Sequence, residues 1–176
     1  MNKIIVSIVV SFMTLATYAQ NSSSQLSPKV LENALLEVHS GYSLKGHKTL
    51  FFVGENLGYQ FFNSLSVFAH HEMQYSLTDN NGNKSYQNGN VIGGGLGYKF
   101  LYDKNDLLSA EIRALMGHSV GHTGFNHTLY DIGLHLKYGK NLCPLIGIGY
   151  RHLNVHSAGI SNKDHFYISI GLRFDL

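Results

Sequence analysis

The C-terminal stretch Phe166-Tyr167-Ile168-Ser169-Ile170-Gly171-Leu172-Arg173-Phe174-Asp175-Leu176 decides the fold class of this chain. Its even-numbered residues are all apolar, whereas its odd-numbered residues include serine, glycine, arginine and aspartate. Since successive side chains of a β-strand point to opposite faces, the stretch predicts a strand with one apolar and one polar face. Its length matches the roughly 9–11 residues that a tilted strand needs to cross a membrane.

The same alternation recurs in seven segments upstream. These predicted strands are residues 35–45, 51–62, 64–77, 90–100, 107–116, 127–138 and 143–153. Short turns alternate with longer polar connections, which are residues 78–89, 117–126 and 154–164. An even number of strands, with short turns at one end and longer loops at the other, is typical of outer-membrane barrels. The sequence therefore predicts an all-β, eight-stranded antiparallel transmembrane β-barrel over residues 34–176.

The N-terminus has the pattern of a cleavable signal peptide. Lys3 precedes an apolar run from Ile4 to Leu15, and the small residues of Ala16-Thr17-Tyr18-Ala19 follow. The apolar run is shorter than the roughly 20 residues that a membrane-spanning helix needs. We therefore predict a signal peptide over residues 1–19, with an uncleaved anchor helix as the alternative. Residues 20–33 are polar and serine-rich, and they predict a flexible periplasmic lead-in.

Composition narrows the possible partners. Charged residues make up 14% of the chain, well below the roughly 25% of soluble domains. The formal net charge is +2, so no strong positive field indicates nucleic-acid binding. The single Cys143 cannot form an intramolecular disulfide. No cofactor-binding motif stands out, and no cofactor is predicted.

Two observations favour an apolar face that points outward. The polar face is rich in glycine, which suits the crowded interior of a small barrel; these residues are Gly93, Gly95, Gly97, Gly147, Gly149 and Gly171. Aromatic residues fall near strand ends, where membrane interfaces require them; they are Tyr42, Phe61, Tyr75, Phe100, Tyr138 and Phe174. The alternative is a soluble periplasmic barrel with apolar residues inside, which would bind a small apolar ligand.

The last eight residues resemble the C-terminal signal that the barrel-insertion machinery reads in outer-membrane proteins. Ser169, Gly171 and Phe174 fit that signal, whereas Leu176 is apolar but not aromatic. With the signal peptide and the eight segments, the mature chain resembles the small eight-stranded outer-membrane barrels of Gram-negative bacteria. That family includes adhesins, stability proteins and a few lipid-A-modifying enzymes. The resemblance implies outer-membrane localisation and contact with outer-membrane lipid and the insertion machinery, and it leaves any extracellular ligand open.

The polar face carries charges of both signs. Its charged and histidine residues are Glu37, His39, His70, Glu72, Glu111, Arg113, Asp131, His135, Lys137, Arg151 and Arg173. Charges inside a narrow barrel must pair, because an isolated buried charge is too costly. We predict a salt-bridged plug with a Glu37–Arg173 pair across the seam between the first and last strands. An ion-selective channel is the alternative, although eight strands leave little open lumen.

Histidine is unusually frequent, with 11 residues. Several lie in or beside two long predicted loops and are candidate transition-metal ligands; they are His118, His122, His127, His152 and His156. No CxxC or HExxH spacing supports a metal site. The preferred interpretation is polar loop histidines without a ligand.

The stretch Gly117-His118-Ser119-Val120-Gly121 matches the GxSxG pattern of serine hydrolases. In those enzymes the serine lies on a tight turn between a strand and a helix. No helix is predicted after residue 121, so a chance match is the preferred interpretation.

The lipid-A deacylases of this barrel class carry a His-x-Ser-Asn-Ala-Gly-like stretch in their last hairpin. Here, residues 154–159 match that stretch only at Ala158 and Gly159. The catalytic set therefore does not transfer, and we predict a non-enzymatic structural or surface-interaction protein. The alternative is a lipid-modifying hydrolase that uses Ser119 or Ser157 with a loop histidine.

Overall fold

A computed structural model describes the barrel region of the chain. The described residues are 33–45, 48–62, 64–80, 83–103, 105, 107–121, 126–140, 142–156 and 163–175. The predicted signal peptide and residues 20–32 of the predicted lead-in lie outside them. In the described part of the chain, no helix is long and apolar enough to span a membrane.

Eight antiparallel strands form one closed sheet, as predicted. They are β1 (Ala34–Lys45), β2 (Lys48–Phe61), β3 (Leu65–Asn80), β4 (Asn83–Tyr102), β5 (Leu108–Ser119), β6 (His127–Tyr138), β7 (Leu142–Val155) and β8 (Lys163–Asp175). Each strand pairs with the next, and β1 pairs with β8. Closure leaves no edge strand, so the backbone amides of the sheet pair with one another.

The barrel has two distinct ends. The first residue of β1, the last residue of β8 and three short turns lie at one end, which we call the turn end. The other four connections lie at the opposite end, the loop end. Starting from Leu35 on β1 and moving around the barrel from each residue to its cross-strand partner, the path reaches His165 on β8. At the seam, however, Leu35 pairs directly with Asp175, which lies ten residues further along β8. This stagger means that the strands tilt by roughly 40°.

The apolar face points outward. On β8, Phe166 and Ile170 are 74% and 63% exposed, whereas Tyr167 and Ser169 are about 5% exposed or less. Exposed aromatic side chains form a loop-side row of Tyr42, Phe51, Tyr75, Tyr130, Tyr150 and Phe166, and a turn-side row of Phe61, Phe100, Tyr138 and Phe174. The predicted orientation of the two faces is confirmed. The lumen is not the apolar one that the alternative of a soluble ligand-binding barrel requires, because it contains the charged side chains of Glu37, Glu72, Arg113 and Arg151.

The predicted loops are longer than the connections in the structure. The sequence predicts a polar loop over residues 78–89, but β3 continues to Asn80 and β4 begins at Asn83. Likewise, β5 ends at Ser119 and β8 begins at Lys163. Polar and glycine-rich residues disfavour strands only weakly, and an established antiparallel pair can extend past them because its hydrogen bonds are backbone bonds.

The turn between β4 and β5 is held by Asp103. Its carboxylate accepts hydrogen bonds from the backbone N–H groups of Leu107 (2.6 Å) and Leu108 (3.1 Å). The backbone N–H of Leu108, and after it that of Leu107, lowers the pKa of Asp103 below its usual value.

Candidate functional site: barrel interior and rim

A first group of ion pairs fills the half of the lumen nearer the turn end. Arg113 on β5 donates two hydrogen bonds of 2.7 Å to the carboxylate of Glu37 on β1. The same guanidinium donates to Glu111 at 2.8 Å. Because β1 and β5 are opposite strands of an eight-stranded ring, the Glu37–Arg113 pair crosses the lumen. We call Glu37, Glu111, Arg113 and Arg173 the turn-side cluster.

Arg173 closes this cluster at the seam. It is the cross-strand partner of Glu37, and its Nη1 lies 3.6 Å from Glu37 and 3.4 Å from Glu111. The expected Glu37–Arg173 contact is therefore present, but Arg113 is the nearer partner of Glu37. Arg173 also bonds to Asp175, which accepts a 2.8 Å hydrogen bond from Lys137.

A second group lies nearer the loop end. Arg151 on β7 donates to Glu72 on β3 at 3.0 Å and to Asp131 on β6 at 2.7 Å. Its guanidinium carbon lies 3.8 Å from the centre of the Phe52 ring, so the cation is stacked as well as paired. Tyr167 donates to Asp131 at 2.9 Å. We call Glu72, Asp131, Arg151 and Tyr167 the loop-side cluster, and it too joins opposite strands.

The Asn56 amide and the His70 ring lie between the two clusters. The Nδ2 of Asn56 donates to Glu37 at 2.9 Å, and its Oδ1 lies 2.7 Å from Nδ1 of His70. A carboxylate only accepts, so the amide orientation is fixed and His70 must carry a proton on Nδ1. The Nε2 atom of His70 lies 3.7 Å from Glu72. The ring of His39 stacks on the ring of His70, with 5.7 Å between the ring centres.

An apolar layer lies between the loop-side cluster and the loop end. Leu50, Val91, Leu129 and Leu153 are 0–1% exposed, with Leu115 and Val155 packed against them. We call these six residues the apolar layer. Alternation alone does not predict this layer, because an apolar residue on these strands indicates the outward face. The available signal was register: Leu129 and Leu153 lie two residues from Asp131 and Arg151, and therefore share their inward face.

Little space remains inside. A cavity of about 40 Å³ is lined by residues of both clusters, among them Glu37 and Arg151. That volume holds roughly three waters, at about 10–15 Å³ of such volume each. The wall of the barrel leaves no room for a larger residue at Gly147. If this glycine were replaced by alanine, the added Cβ atom would lie 2.7 Å from Nδ1 of His135, which is closer than a normal van der Waals contact. The glycines of the inner face therefore make room for the side chains that fill the lumen.

The candidate metal ligands are divided between different surroundings. His118 and His156 face outward at the loop end, and each places a ring nitrogen near the hydroxyl of Thr128, at 3.1 and 3.0 Å. His152 pairs with Asp164 at 2.6 Å, and Tyr150 donates to the same carboxylate. His127 is buried in the interior, and His122 lies outside the described residues. Within the described ranges, no three His, Cys, Asp or Glu residues are placed to hold a metal ion.

Of the two candidate nucleophiles, Ser119 and Ser157, the structure describes only Ser119. Ser119 is 6% exposed, and its hydroxyl accepts a 2.9 Å hydrogen bond from the backbone N–H of His127 and lies 3.5 Å from Asn126. Ser157 lies outside the described residues. Among the residues of the predicted insertion signal, Ser169 faces the lumen and Phe174 faces outward, whereas Leu176 lies outside the described residues.

The fold matches solved structures of outer-membrane barrels. The chain is similar to Neisserial surface protein A (NspA), with a TM-score of 0.53, 15% identity, and coverage of 81% of this chain and 96% of that one. It is also similar to the outer membrane enzyme PagL, with a TM-score of 0.52, 14% identity, and coverage of 80% and 99%. No protein-family model matches the chain, and no curated protein matches it. The chain thus has the fold of the small eight-stranded outer-membrane barrels.

Proposed function

We propose that this chain is a non-enzymatic outer-membrane barrel with a closed lumen, which serves as a structural or surface-interaction protein. One observation carries the proposal: Glu37–Arg113 and Glu72–Arg151 each join opposite strands across the lumen, at 2.7 and 3.0 Å. An ion on its way through would have to break both buried pairs, and leaving one partner of such a pair unpaired costs roughly 3–5 kcal/mol. The apolar layer adds a second barrier, since a dry constriction excludes ions.

The outward surface supports membrane placement. The two aromatic rows bound an apolar belt, as in outer-membrane barrels. The connections at the loop end would then face outside the cell and carry any contact with an extracellular ligand. Fractionation of cells tests this placement: the protein is expected in the outer-membrane fraction and to be lost from it when residues 166–176 are deleted. Recovery in the soluble periplasmic fraction would contradict the proposal.

Planar-bilayer recording tests the closed lumen. The native protein is expected to show no steady conductance. A variant with Arg113→Ala, Arg151→Ala and Leu129→Ala, which removes both crossing pairs and opens the apolar layer, is expected to show transient openings. The control replaces the outward-facing Ile132 and Ile148 by alanine and should remain silent. Long-lived channels in the native protein would overturn the proposal and favour a pore.

A lipid-modifying hydrolase is the second candidate, and one contact favours it. Thr128 and His156 place a hydroxyl and an imidazole 3.0 Å apart on the outward face near the loop end. A nucleophile and its base need such a distance. The nearby carboxylate of Asp164, however, bonds to His152 rather than to His156. Release of fatty acid from lipid A by the native protein, abolished by Thr128→Val, would favour this second function.

A further inference from the structure

Two of the candidate metal ligands converge on one hydroxyl at the loop end. Nδ1 of His118 on β5 lies 3.1 Å from Oγ1 of Thr128 on β6, and Nε2 of His156, the residue after β7, lies 3.0 Å from the same oxygen. Both histidines are exposed, whereas Thr128 is buried beside them. We call His118, Thr128 and His156 the rim cluster.

The backbone holds the rim cluster in place. His118 and Thr128 are direct cross-strand partners, and Thr128 is the direct partner of Asn154 on β7. His156 lies two residues beyond Asn154 and therefore on the same face of the sheet. Its backbone N–H donates a 2.8 Å hydrogen bond to the carbonyl of Asn126, which extends the pairing of β6 with β7 past the end of the strands. The three donor atoms thus lie on three adjacent strands of one sheet, where their positions are fixed more precisely than on a loop.

The hydrogen bonds of the rim cluster leave lone pairs available on both rings. A hydroxyl has one proton, so Thr128 donates to one ring and accepts an N–H from the other. A neutral imidazole carries its proton on either nitrogen. Because His118 and His156 are exposed, the donating ring can move its proton to the nitrogen that faces away from Thr128. Both rings can then direct a lone pair to one point beside Oγ1, and a neutral imidazole in this state is the commonest metal ligand of proteins.

The spacing of the donor atoms fits a metal ion. Two ligands that lie about 2.1 Å from an ion and at right angles to each other are about 3.0 Å apart. Each ring nitrogen lies at this separation from Oγ1, at 3.1 and 3.0 Å. An ion bound to an imidazole nitrogen lies roughly 3.2 Å from the ring centre, so the centres of two rings on one ion are up to about 6.4 Å apart. The ring centres of His118 and His156 are 5.9 Å apart, which is compatible with one ion between them.

We propose that the rim cluster binds one Cu²⁺ ion through Nδ1 of His118, Nε2 of His156 and Oγ1 of Thr128. Nitrogen and oxygen ligands at right angles suit Cu²⁺ or Ni²⁺, whereas Zn²⁺ prefers a tetrahedral set. Of these three ions, Cu²⁺ binds most tightly to a given set of ligands. Its remaining coordination positions are open to water or to a donor from another molecule. For His118 and His156, this proposal replaces the interpretation of loop histidines without a ligand.

His152 provides a matched comparison on the same face of β7. Its Nδ1 lies 2.6 Å from the carboxylate of Asp164, which also accepts a hydrogen bond from Tyr150. Its ring neighbour is Tyr130, with 6.3 Å between the ring centres, where the neighbour of His118 is a second imidazole. His152 therefore lacks the pair of converging nitrogens that distinguishes the rim cluster.

Cu²⁺ titration of the purified full chain in detergent micelles tests the site, with electron paramagnetic resonance as the readout. Native protein is expected to bind one equivalent of Cu²⁺ whose spectrum shows coupling to two imidazole nitrogens. Loss of a group that only orients a ligand lowers metal affinity about 10–100-fold, so His118→Gln and His156→Gln should each weaken binding at least about tenfold. Each variant should also retain one coupled nitrogen. The control His152→Gln should change neither the affinity nor the spectrum.

Thr128 separates the proposed site from the weak binding that any histidine-rich surface shows. Thr128→Ser keeps the hydroxyl oxygen and should keep the affinity, whereas Thr128→Val keeps the shape without the oxygen and should weaken binding on the order of tenfold. Heat-dependent gel mobility checks that each variant is folded. The proposal would be overturned by a native spectrum without two-nitrogen coupling, by equal affinity in native protein and His118→Gln, or by equal affinity in the two Thr128 variants.

Discussion

The loop-side cluster and the apolar layer lie next to each other in the lumen, yet they close it by different means. The cluster joins opposite strands through directional bonds, with Arg151 held between Glu72 and Asp131. The apolar layer, by contrast, fills space without directional bonds, through residues such as Leu129 and Leu153. A buried ion pair contributes little net stability but is costly to break on one side. The ion pairs therefore tie opposite walls of the barrel to each other, while the apolar layer excludes water and ions.

The largest expected effect is the loss of Arg151. Arg151→Ala leaves Glu72 buried without its cation, and we expect the free energy of unfolding to fall by roughly 3–5 kcal/mol. The triple variant Glu72→Gln, Asp131→Asn and Arg151→Met removes all three charges of the group and should lose less. Urea unfolding of the barrel in lipid vesicles measures both. An equal loss in the two variants would show that packing, rather than the unpaired carboxylate, sets the cost.

The apolar layer should tolerate a change of shape but not a loss of volume. Leu129→Ala is expected to cost about 2–5 kcal/mol, because it leaves a cavity. Leu129→Met nearly conserves volume and should cost less than about 1.5 kcal/mol. Arg151→Lys should cost more than Leu129→Met, since an ammonium cannot reproduce a guanidinium held between two carboxylates. The same urea titrations measure the loss of stability in Arg151→Lys and in Leu129→Met. A larger loss in Leu129→Met would show that the loop-side cluster and the apolar layer do not differ in this way.

Within the turn-side cluster, the bond across the lumen should outweigh the bond across the seam. Arg113 makes two 2.7 Å hydrogen bonds to Glu37, whereas Arg173 lies 3.6 Å from it. Arg113→Ala should therefore lower the unfolding temperature more than Arg173→Ala does. Heat-dependent gel mobility reports both midpoints. A larger loss for Arg173→Ala would identify the seam as the dominant contact.

The smallest effect is expected outside the lumen, at the exposed Asp103. Its lowered pKa means that the folded protein favours the carboxylate, so its contribution is present at neutral pH. The contribution is lost as pH falls from about 4 through the folded-state pKa. Asp103→Asn should thus be slightly less stable than native protein at pH 7 and equal to it in strong acid. A difference that persists in acid would show that the carboxylate charge is not the cause.

Alternation with a period of two was sufficient to predict the strands and the faces of this barrel. Each strand must bury one face, so Phe166, Ile168 and Ile170 could be placed outward and Arg173 inward from the sequence alone. The same logic would have placed Leu129 and Leu153 inside, had the register been followed through apolar positions.

The tertiary structure alone decided which residues meet across the lumen. Glu37 and Arg113 are separated by 76 residues and lie on strands that are not neighbours in the sheet. Local periodicity carries no information about such a pair, because strand count and stagger set it only when the ring closes. The seam pair Glu37–Arg173 could be predicted because closure of the barrel makes the first and last strands neighbours. The shorter contacts, Glu37–Arg113 and Glu72–Arg151, depend instead on where the tilted strands bring opposite walls to the same depth.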